Sequence, residues 1–452
     1  MESESARIRA QLTSQNALSF IDEFLFAFPN ANLYLVGGAI RDALLSRTMH
    51  ERDYDFVVTH LSPSHLEAWF QTKGELHLVG QHFGVYKFMP TGFTSKDISF
   101  IDIALPRTER VAEGSLGGYR DFDVQSDPTL PIETDLARRD FTINAMALDL
   151  RHNMLIDPHN GHVDLSHKLL KAVGQPEERF AEDLTRILRG IRFASELGFD
   201  IEPETARAMN TLIEEIHRMR EVGEKFEYVV PREVIGEEIA KALSRNPVQA
   251  VQKLIEHRVI EILFPSVHSI LQKNPTYLQP LSQIVPGELP LALTLLFREL
   301  SPEQVREAFD FSGLNTLPRG SSYRTEQEQI LWLISVLQLS LTPEAIQTMR
   351  ASLFEKRFFN GKGMMLIRCL EILKEKELAQ AVKNRRREIE ARWLVDHDES
   401  IAPLLSGQDI LSQGIPPGPE VRLLLDHVRD LQLDGKLMRR EEALRWLKEK
   451  QV

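Results

Sequence analysis

Two aspartates two residues apart, Asp53 and Asp55, flank Tyr54 at the head of an apolar run, Phe56-Val57-Val58. On a strand, residues i and i+2 project to one side, so both carboxylates meet at a point while Tyr54, Phe56 and Val58 face the other way. Carboxylate oxygens together with nucleotide phosphates are what Mg²⁺ prefers. Two such ions about 3.5–4 Å apart can activate an attacking hydroxyl and stabilise a leaving phosphate. Upstream, Gly37-Gly38 precedes Ala39–Leu45, which is helical in pattern. Backbone N–H groups at a helix start, free of side chains, suit a triphosphate, and Arg41 adds positive charge one turn in. Taken singly, Asp-Tyr-Asp also reads as an acidic turn and Gly-Gly as a tight turn. A third acid, Asp102, sits between Phe100-Ile101 and Ile103-Ala104. Buried, it would need a cation or hydrogen bonds, so it either completes the metal site or faces solvent from an edge strand.

The elements that must position these groups are strands in the first third and helices afterwards. Leu33–Val36, Tyr54–Thr59, Val85–Met89, Ile98–Ala104 and Thr142–Asp149 have the β-branched and aromatic content of strands, with turn-rich segments between them. From about Leu165 onward strand-like runs nearly vanish and apolar residues recur at helical spacing. Breaks within that remainder fall near Pro231, across Pro286–Pro290, at Ser312–Ser322 and across Pro403–Pro419. No internal repeat of solenoid period is present.

The 452 residues, 42% hydrophobic and 27% charged, describe a globular chain of about three domains, not a disordered, collagenous or membrane-spanning one. No apolar stretch approaches the roughly 18 residues of a bilayer crossing, and the start lacks the basic-then-apolar order of a signal peptide. The expected compartment is the cytoplasm, with no membrane partner. Cys369, the single cysteine, has no partner for an internal disulfide, and no Cys/His cluster has zinc spacing. Any metal is therefore held by oxygen. A net charge of −12 opposes indiscriminate nucleic-acid binding, so a basic surface must be local.

Five motifs occur in order: Gly37-Gly38…Arg41-Asp42; Asp53-Tyr54-Asp55; Asp135-Leu136-Ala137-Arg138-Arg139-Asp140-Phe141-Thr142-Ile143-Asn144-Ala145; Asp157-Pro158…Gly161…Asp164-Leu165; and Glu182-Asp183-Leu184-Thr185-Arg186. Together they resemble the bacterial-type (class II) tRNA nucleotidyltransferases and their poly(A) polymerase relatives, over roughly Leu33 to Phe199. Pro231-Arg232-Glu233…Glu237-Glu238 and Leu263-Phe264-Pro265 look like the family's next helical region, and the stretch from Gly407 to Leu444 looks like the C-terminal segment of its longer bacterial members. The resemblance implies an α+β fold: a polymerase-β-like nucleotidyltransferase head, with a mixed sheet and helices, over 1–165. An all-helical neck over 166–235, body over 236–330 and tail over 331–452 follow. It implies that Asp53 and Asp55 hold catalytic Mg²⁺, that Gly38 and Arg41 bind the triphosphate, and that Arg139 binds the incoming nucleotide. Asp183, Arg186, Arg189 and Arg192 match neck positions that read the base and contact phosphates. The implied activity is untemplated addition of C, C and A to tRNA from CTP and ATP. An A-adding-only enzyme, a poly(A) polymerase and a non-catalytic RNA-binding module are the rivals. Asp396-His397-Asp398 lacks the companion histidines of the phosphohydrolase domain that some members carry, so no phosphatase activity is expected.

A helix starting near Phe180 would bury residues 180, 184, 187, 188, 191 and 194 and place Asp183 and Arg186 three apart on its other side. There a carboxylate accepts from the amino group of cytosine or adenine while a guanidinium donates to the adjacent ring nitrogen. Uracil and guanine offer a carbonyl where Asp183 needs a donor. From residue 183 to 192 the helix turns through about 180°, so Arg192 does not share a face with Asp183, and Arg189 and Arg192 either reach phosphates or brace the neck. The run Glu113-Gly114-Ser115-Leu116-Gly117-Gly118 reads as a mobile loop beside the site or as inert surface. Lys356 to Arg387, with ten Lys/Arg against three Glu, is either the surface for a tRNA backbone or a solvated helix face. Trp393, Trp446 and Leu423–Leu425 are expected in the core.

Overall fold

The computed structural model describes residues 2–47, 54–79, 84–94, 98–111, 122–222, 225–316, 327–339, 341–359, 361–393 and 402–450. Asp53, the glycine-rich run 113–118 and Asp396-His397-Asp398 lie outside the described residues. The chain divides into two compact units, Met1–Pro265 with Asp310–Arg324, and Ser266–Phe309 with Thr325–Val452.

The first unit is built on strands β1 (Asn32–Val36), β2 (Asp55–Thr59), β3 (Gly74–Val79), β4 (Val85–Pro90), β5 (Ile101–Ala104), β6 (Arg107–Val111), β7 (Phe122–Ser126), β8 (Ala147–Asp149) and β9 (Met154–Ile156). Seven of them form one mixed sheet in the order β3-β4-β5-β2-β1-β8-β9, and β6 pairs with β7 as a separate ladder. The helices of this unit up to residue 245 are α1 (Glu2–Thr13), α2 (Phe20–Ala27), α3 (Gly38–Leu44), α4 (Pro63–Gln71), α5 (Ile132–Ala137), α6 (Gly161–Ser166), α7 (Pro176–Glu182), α8 (Thr185–Leu197), α9 (Pro203–Leu212) and α10 (Arg232–Arg245).

The period-2 pattern of the strands decides what each face of the sheet holds. Leu33, Leu35, Tyr54, Phe56, Val58, Tyr86, Phe88, Ile101 and Ile103 join Phe20, Phe24, Phe70, Ala39 and Ile40 in one core. Phe20 meets Phe56, Phe70 and Phe88 edge to face at 5.4–5.8 Å, the geometry aromatic quadrupoles prefer. Residues one step out of phase, Tyr34, Val36, Val57 and Ala147, pack instead with Ile132, Leu136 and Val173 on the other side. Asp55 shares the phase of Val57, and Asp102 that of Ala104.

Two expectations fail here. Residues 142–144 form a short 3₁₀ turn, and only Ala147–Asp149 of the expected Thr142–Asp149 strand is extended. The β5 strand lies between β4 and β2, so Asp102 is not on an edge strand. Beyond Leu165 the described strands are two to four residues long and helices dominate, as the apolar spacing predicts.

The second unit is helical, with one core around Leu333, Phe354, Phe358, Leu370 and Val382 and another around Leu405, Ile410, Val428 and Leu447. Trp446, Leu424 and Leu425 pack against the latter, but Leu423 is 66% exposed, against the expectation. The side chain of Trp393 lies outside the described residues. Among the described residues no helix is long and apolar enough to cross a membrane.

Candidate active site

The site is assembled at the turn from β1 into α3. Gly37 holds φ at +73°, a conformation L side chains rarely adopt. A Cβ added to Gly37 would stand 3.1 Å from Arg139 Nη1 and 3.3 Å from Asp55 Oδ2. An acid from β2 and an arginine following α5 therefore converge on bare backbone at the start of a helix. That combination offers a phosphate a guanidinium and unobstructed N–H groups. Gly38 opens α3, and its own Cβ would lie 3.4 Å from Arg41 Nη2.

Ladder register places Asp102 beside Asp55. The strands β2 and β5 run parallel with Asp55 opposite Asp102, and β4 is antiparallel to β5 with Lys87 opposite Asp102. Lys87, Asp102 and Asp55 thus form a row across three neighbouring strands, on the face away from the phenylalanine core. The Lys87 ammonium lies 2.9 Å from Asp102 Oδ2 and 2.7 Å from Oδ1. It donates to Oδ2, whereas Oδ1 is closed to solvent without an aligned hydrogen-bond donor among the described residues. Among the described residues no three His, Cys, Asp or Glu side chains gather into a metal-binding group. The row nevertheless fits an oxygen-preferring cation: it presents two carboxylates in register, one with a shielded oxygen lacking a donor, and Asp53 is the next same-phase acid in the sequence.

Arg139 is held by Asp135, an interaction the sequence reading did not assign although the spacing i, i+3, i+4 on a helix announces it. Asp135 is fully buried. Its Oδ1 accepts from Arg138 at 2.6 Å and its Oδ2 from Arg139 at 3.1 Å. Arg139 Nη1 also donates to the carbonyl of Asn144 at 3.4 Å, while its Nε is buried with no acceptor among the described residues. A buried donor without a partner is costly, and an anionic ligand would relieve it. Arg41 is buried, donating to Asn144 Oδ1 at 2.7 Å and to Asp42 at 3.0 Å. Asn144, likewise unassigned from sequence, therefore bridges the two arginines of the site.

The neck residues are placed differently from the helix-phase reading. The helix breaks at Asp183, which is extended at φ −151° and ψ 102°, between α7 and α8. Its Oδ1 caps the start of α8, accepting from Thr185 N at 2.9 Å and Thr185 Oγ1 at 2.7 Å. Burial pushes its carboxyl up from the ordinary value. Arg186 pairs with Glu182 at 2.7 Å and not with Asp183, and donates to the carbonyls of Arg179 and Arg138 at 3.0 and 3.3 Å. A common helical face thus does not relate Asp183 to Arg186. The apolar stripe is found: Phe180, Leu184, Ile187, Leu188, Ile191 and Ala194 are all buried.

Arg189 bonds Asp140 at 2.8 Å, and Arg192 bonds Glu238 of α10 at 2.6 Å. Arg192 also lies 4.1 Å from the ring centre of Phe193. Both arginines therefore brace α8, one against the segment after Arg139 and the other against α10. Gly190 allows the approach, since a Cβ there would stand 2.8 Å from the ring of Phe141.

Burial alone would raise the Asp135 and Asp140 carboxyls. The guanidiniums beside them, Arg138 and Arg139 for Asp135, Arg189 and then Arg186 for Asp140, outweigh it and hold both below the ordinary value. With folded values below an unfolded value of about 3.9, their contribution to stability is full above it and is lost as pH falls through the folded values. Thermal melts from pH 7 to pH 3 should therefore steepen below about pH 4, and Asp140→Asn should flatten part of that fall. An unchanged pH slope in the variant would contradict this.

Among the described residues of the basic segment 356–387, five of its cations are drawn into ion pairs: Lys356 with Asp426, Arg368 with Glu288, Lys383 with Glu371, Arg385 with Glu388 and Arg386 with Glu390. Lys374, Lys376 and Arg387 are exposed.

Comparison with known proteins agrees with the motif reading. Residues 33–171 match the Poly A polymerase head domain. The Multifunctional CCA protein of Xylella fastidiosa strain 9a5c is 37% identical over 245 residues, 52% of this chain and 51% of that protein. The protein of the same name from Acinetobacter baumannii is 37% identical over 252 residues, 54% and 53% of the two chains. The chain thus spans about half the length of the curated relatives it matches. The CCA-adding enzyme of Bacillus stearothermophilus in complex with CTP superposes with a TM-score of 0.60 at 22% identity, over 95% of this chain and 96% of that one. The Thermotoga maritima CCA-adding enzyme complexed with tRNA gives 0.58 at 21% identity, over 99% and 98%. Residues 33–171 accordingly resemble the Poly A polymerase head domain, in a chain with the fold of the CCA-adding enzymes.

Proposed function

We propose that this chain is a Mg²⁺-dependent tRNA nucleotidyltransferase that adds C, C and A to tRNA 3′ ends from CTP and ATP, without a template. The observation that carries the reading is the convergence of Asp55 and Arg139 on Gly37, with Asp102 in register beside Asp55. In the reaction the terminal 3′-hydroxyl attacks the α-phosphate in line. The new O–P bond forms as the bond from the α-phosphorus to the bridging oxygen breaks, the hydroxyl proton passes to solvent water, and pyrophosphate leaves. Asp55 and Asp102, with Asp53, would hold Mg²⁺, which would supply activation of the hydroxyl and compensation of the leaving group's charge. Arg139, steered by Asp135 and Asn144, and the backbone at Gly37-Gly38 orient the triphosphate, with Arg41 holding Asn144 in place.

Base choice falls to the start of α8. Asp183 spends Oδ1 on its cap, and among the described residues no donor reaches Oδ2, which is left to accept from an exocyclic amino group. Arg186, fixed by Glu182, supplies the donor, while Arg189 and Arg192 set the pose of the helix. Asp183→Ala should lower the preference for CTP over UTP about a hundredfold, with kcat/KM for each triphosphate as the readout. A preference unchanged within twofold would remove Asp183 from base reading.

The names and titles of the relatives support CTP, ATP and tRNA as ligands, and the helical tail is the proposed tRNA-binding region. The domain assignment of head 1–165, neck 166–235, body 236–330 and tail 331–452 and a cytoplasmic location belong to the same proposal. The test is incubation of the purified chain with tRNAs ending before the first C, after one C and after both, with each triphosphate alone and mixed. Stepwise C, C and A addition is expected. Addition of A alone to the last substrate would identify an A-adding enzyme, long A tails a poly(A) polymerase, and no addition an RNA-binding module, each overturning the reading.

A further inference from the structure

Lys87 plays no part in the chemistry described so far, yet it stands at the end of the carboxylate row. Its side chain is 40% exposed, and that of Asp102, opposite it on β5, is 26% exposed. Neighbouring strands are about 4.8 Å apart, so Asp55 and Asp102 in register bring two like charges close together in a partly dry setting. Such a pair repels unless a cation sits beside it. The ammonium of Lys87 straddles both oxygens of Asp102 at 2.7 and 2.9 Å, where it offsets one of the two negative charges. It also screens Oδ1, the shielded oxygen to which it makes no aligned hydrogen bond.

We propose that Lys87 is a built-in counter-cation: it offsets the charge of Asp102 beside Asp55 and so sets how tightly the carboxylate row takes up a divalent ion. The inference rests on the reading of that row as the Mg²⁺ site. A divalent ion and an ammonium cannot both be neutralised fully by Asp102, so ion uptake requires Lys87 to yield an oxygen. Removing the ammonium removes a competitor for the ion and, in the ion's absence, takes from Asp102 the cation it pairs with. Lys87 is thus a positioning residue acting through Asp102, and its effect is read in binding and stability rather than in turnover alone.

The experiment titrates the full chain with Mn²⁺, a paramagnetic stand-in for Mg²⁺, counting free ion by its spin resonance signal and following thermal melts in parallel. Lys87→Met is expected to bind Mn²⁺ about fivefold more tightly than the parent, the lost competition of one partly exposed ion pair. Without divalent ion it should melt below the parent, and Mn²⁺ should restore more of its melting temperature than it adds to the parent. Lys87→Arg, which keeps the charge, should bind Mn²⁺ as the parent does, and Lys87→Gln should follow Lys87→Met. Binding by Lys87→Met and Lys87→Gln equal to or weaker than the parent's, with binding abolished in Asp55→Asn, would overturn the role of Lys87 alone. Parent-like Mn²⁺ binding by Asp55→Asn would instead overturn the metal site on which the inference rests.

Discussion

Exchanging Asp55 for asparagine should slow nucleotide addition at least about a thousandfold while leaving the fold in place. The amide keeps the size of the carboxylate and its position opposite Val36 on β1 and Asp102 on β5, so the ladders have no reason to change. It removes the charge that faces Gly37 together with Arg139. The triphosphate would still find Arg139 and the helix start, so its binding should weaken far less than turnover. Single-turnover rates at saturating CTP, with a thermal melt as the fold control, separate the two. A rate within tenfold of the parent would take Asp55 out of the chemistry.

The second large effect is one of stability, at Asp135. This carboxylate is fully buried and serves two arginines whose side chains are only 20% and 19% exposed. Asp135→Ala takes from both guanidiniums the buried carboxylate they share, a loss on the order of 3–5 kcal/mol for a buried network, far above the tenths typical of exposed pairs. For a unit of this size that is a fall of roughly 10 °C in melting temperature. Arg139 would also lose one of its anchors, so KM for both triphosphates should rise along with the destabilisation. A fall below about 2 °C would mean that the two arginines find other partners.

Part of this site was legible in the sequence because it depends on local periodicity. Tyr54, Phe56 and Val58 had to share a face, and they do. Gly37 had to take a conformation other residues avoid, and its φ of +73° agrees. The Asp135, Arg138 and Arg139 spacing carried the buried ion network openly, yet only Arg139 was assigned a role. What the sequence hid depends on topology. Asp102 looked better suited to an edge, and only the strand order, which puts β5 beside β2, sets it opposite Asp55. Arg189 and Arg192 take partners 49 and 46 residues away, beyond any helical repeat. The helix break at Asp183 had a local signal, an aspartate two residues before Thr185 in capping position, but the apolar stripe that runs through the break masked it.

The most direct measurement is a crystal structure of the chain with CTP and Mg²⁺. Triphosphate oxygens are expected within hydrogen-bond reach of Arg139 and of the backbone at Gly37-Gly38, with a metal ion on Asp55 and the cytosine amino group facing Asp183. A triphosphate lying beyond side-chain reach of Asp55 and Arg139, with its base away from the start of α8, would contradict this.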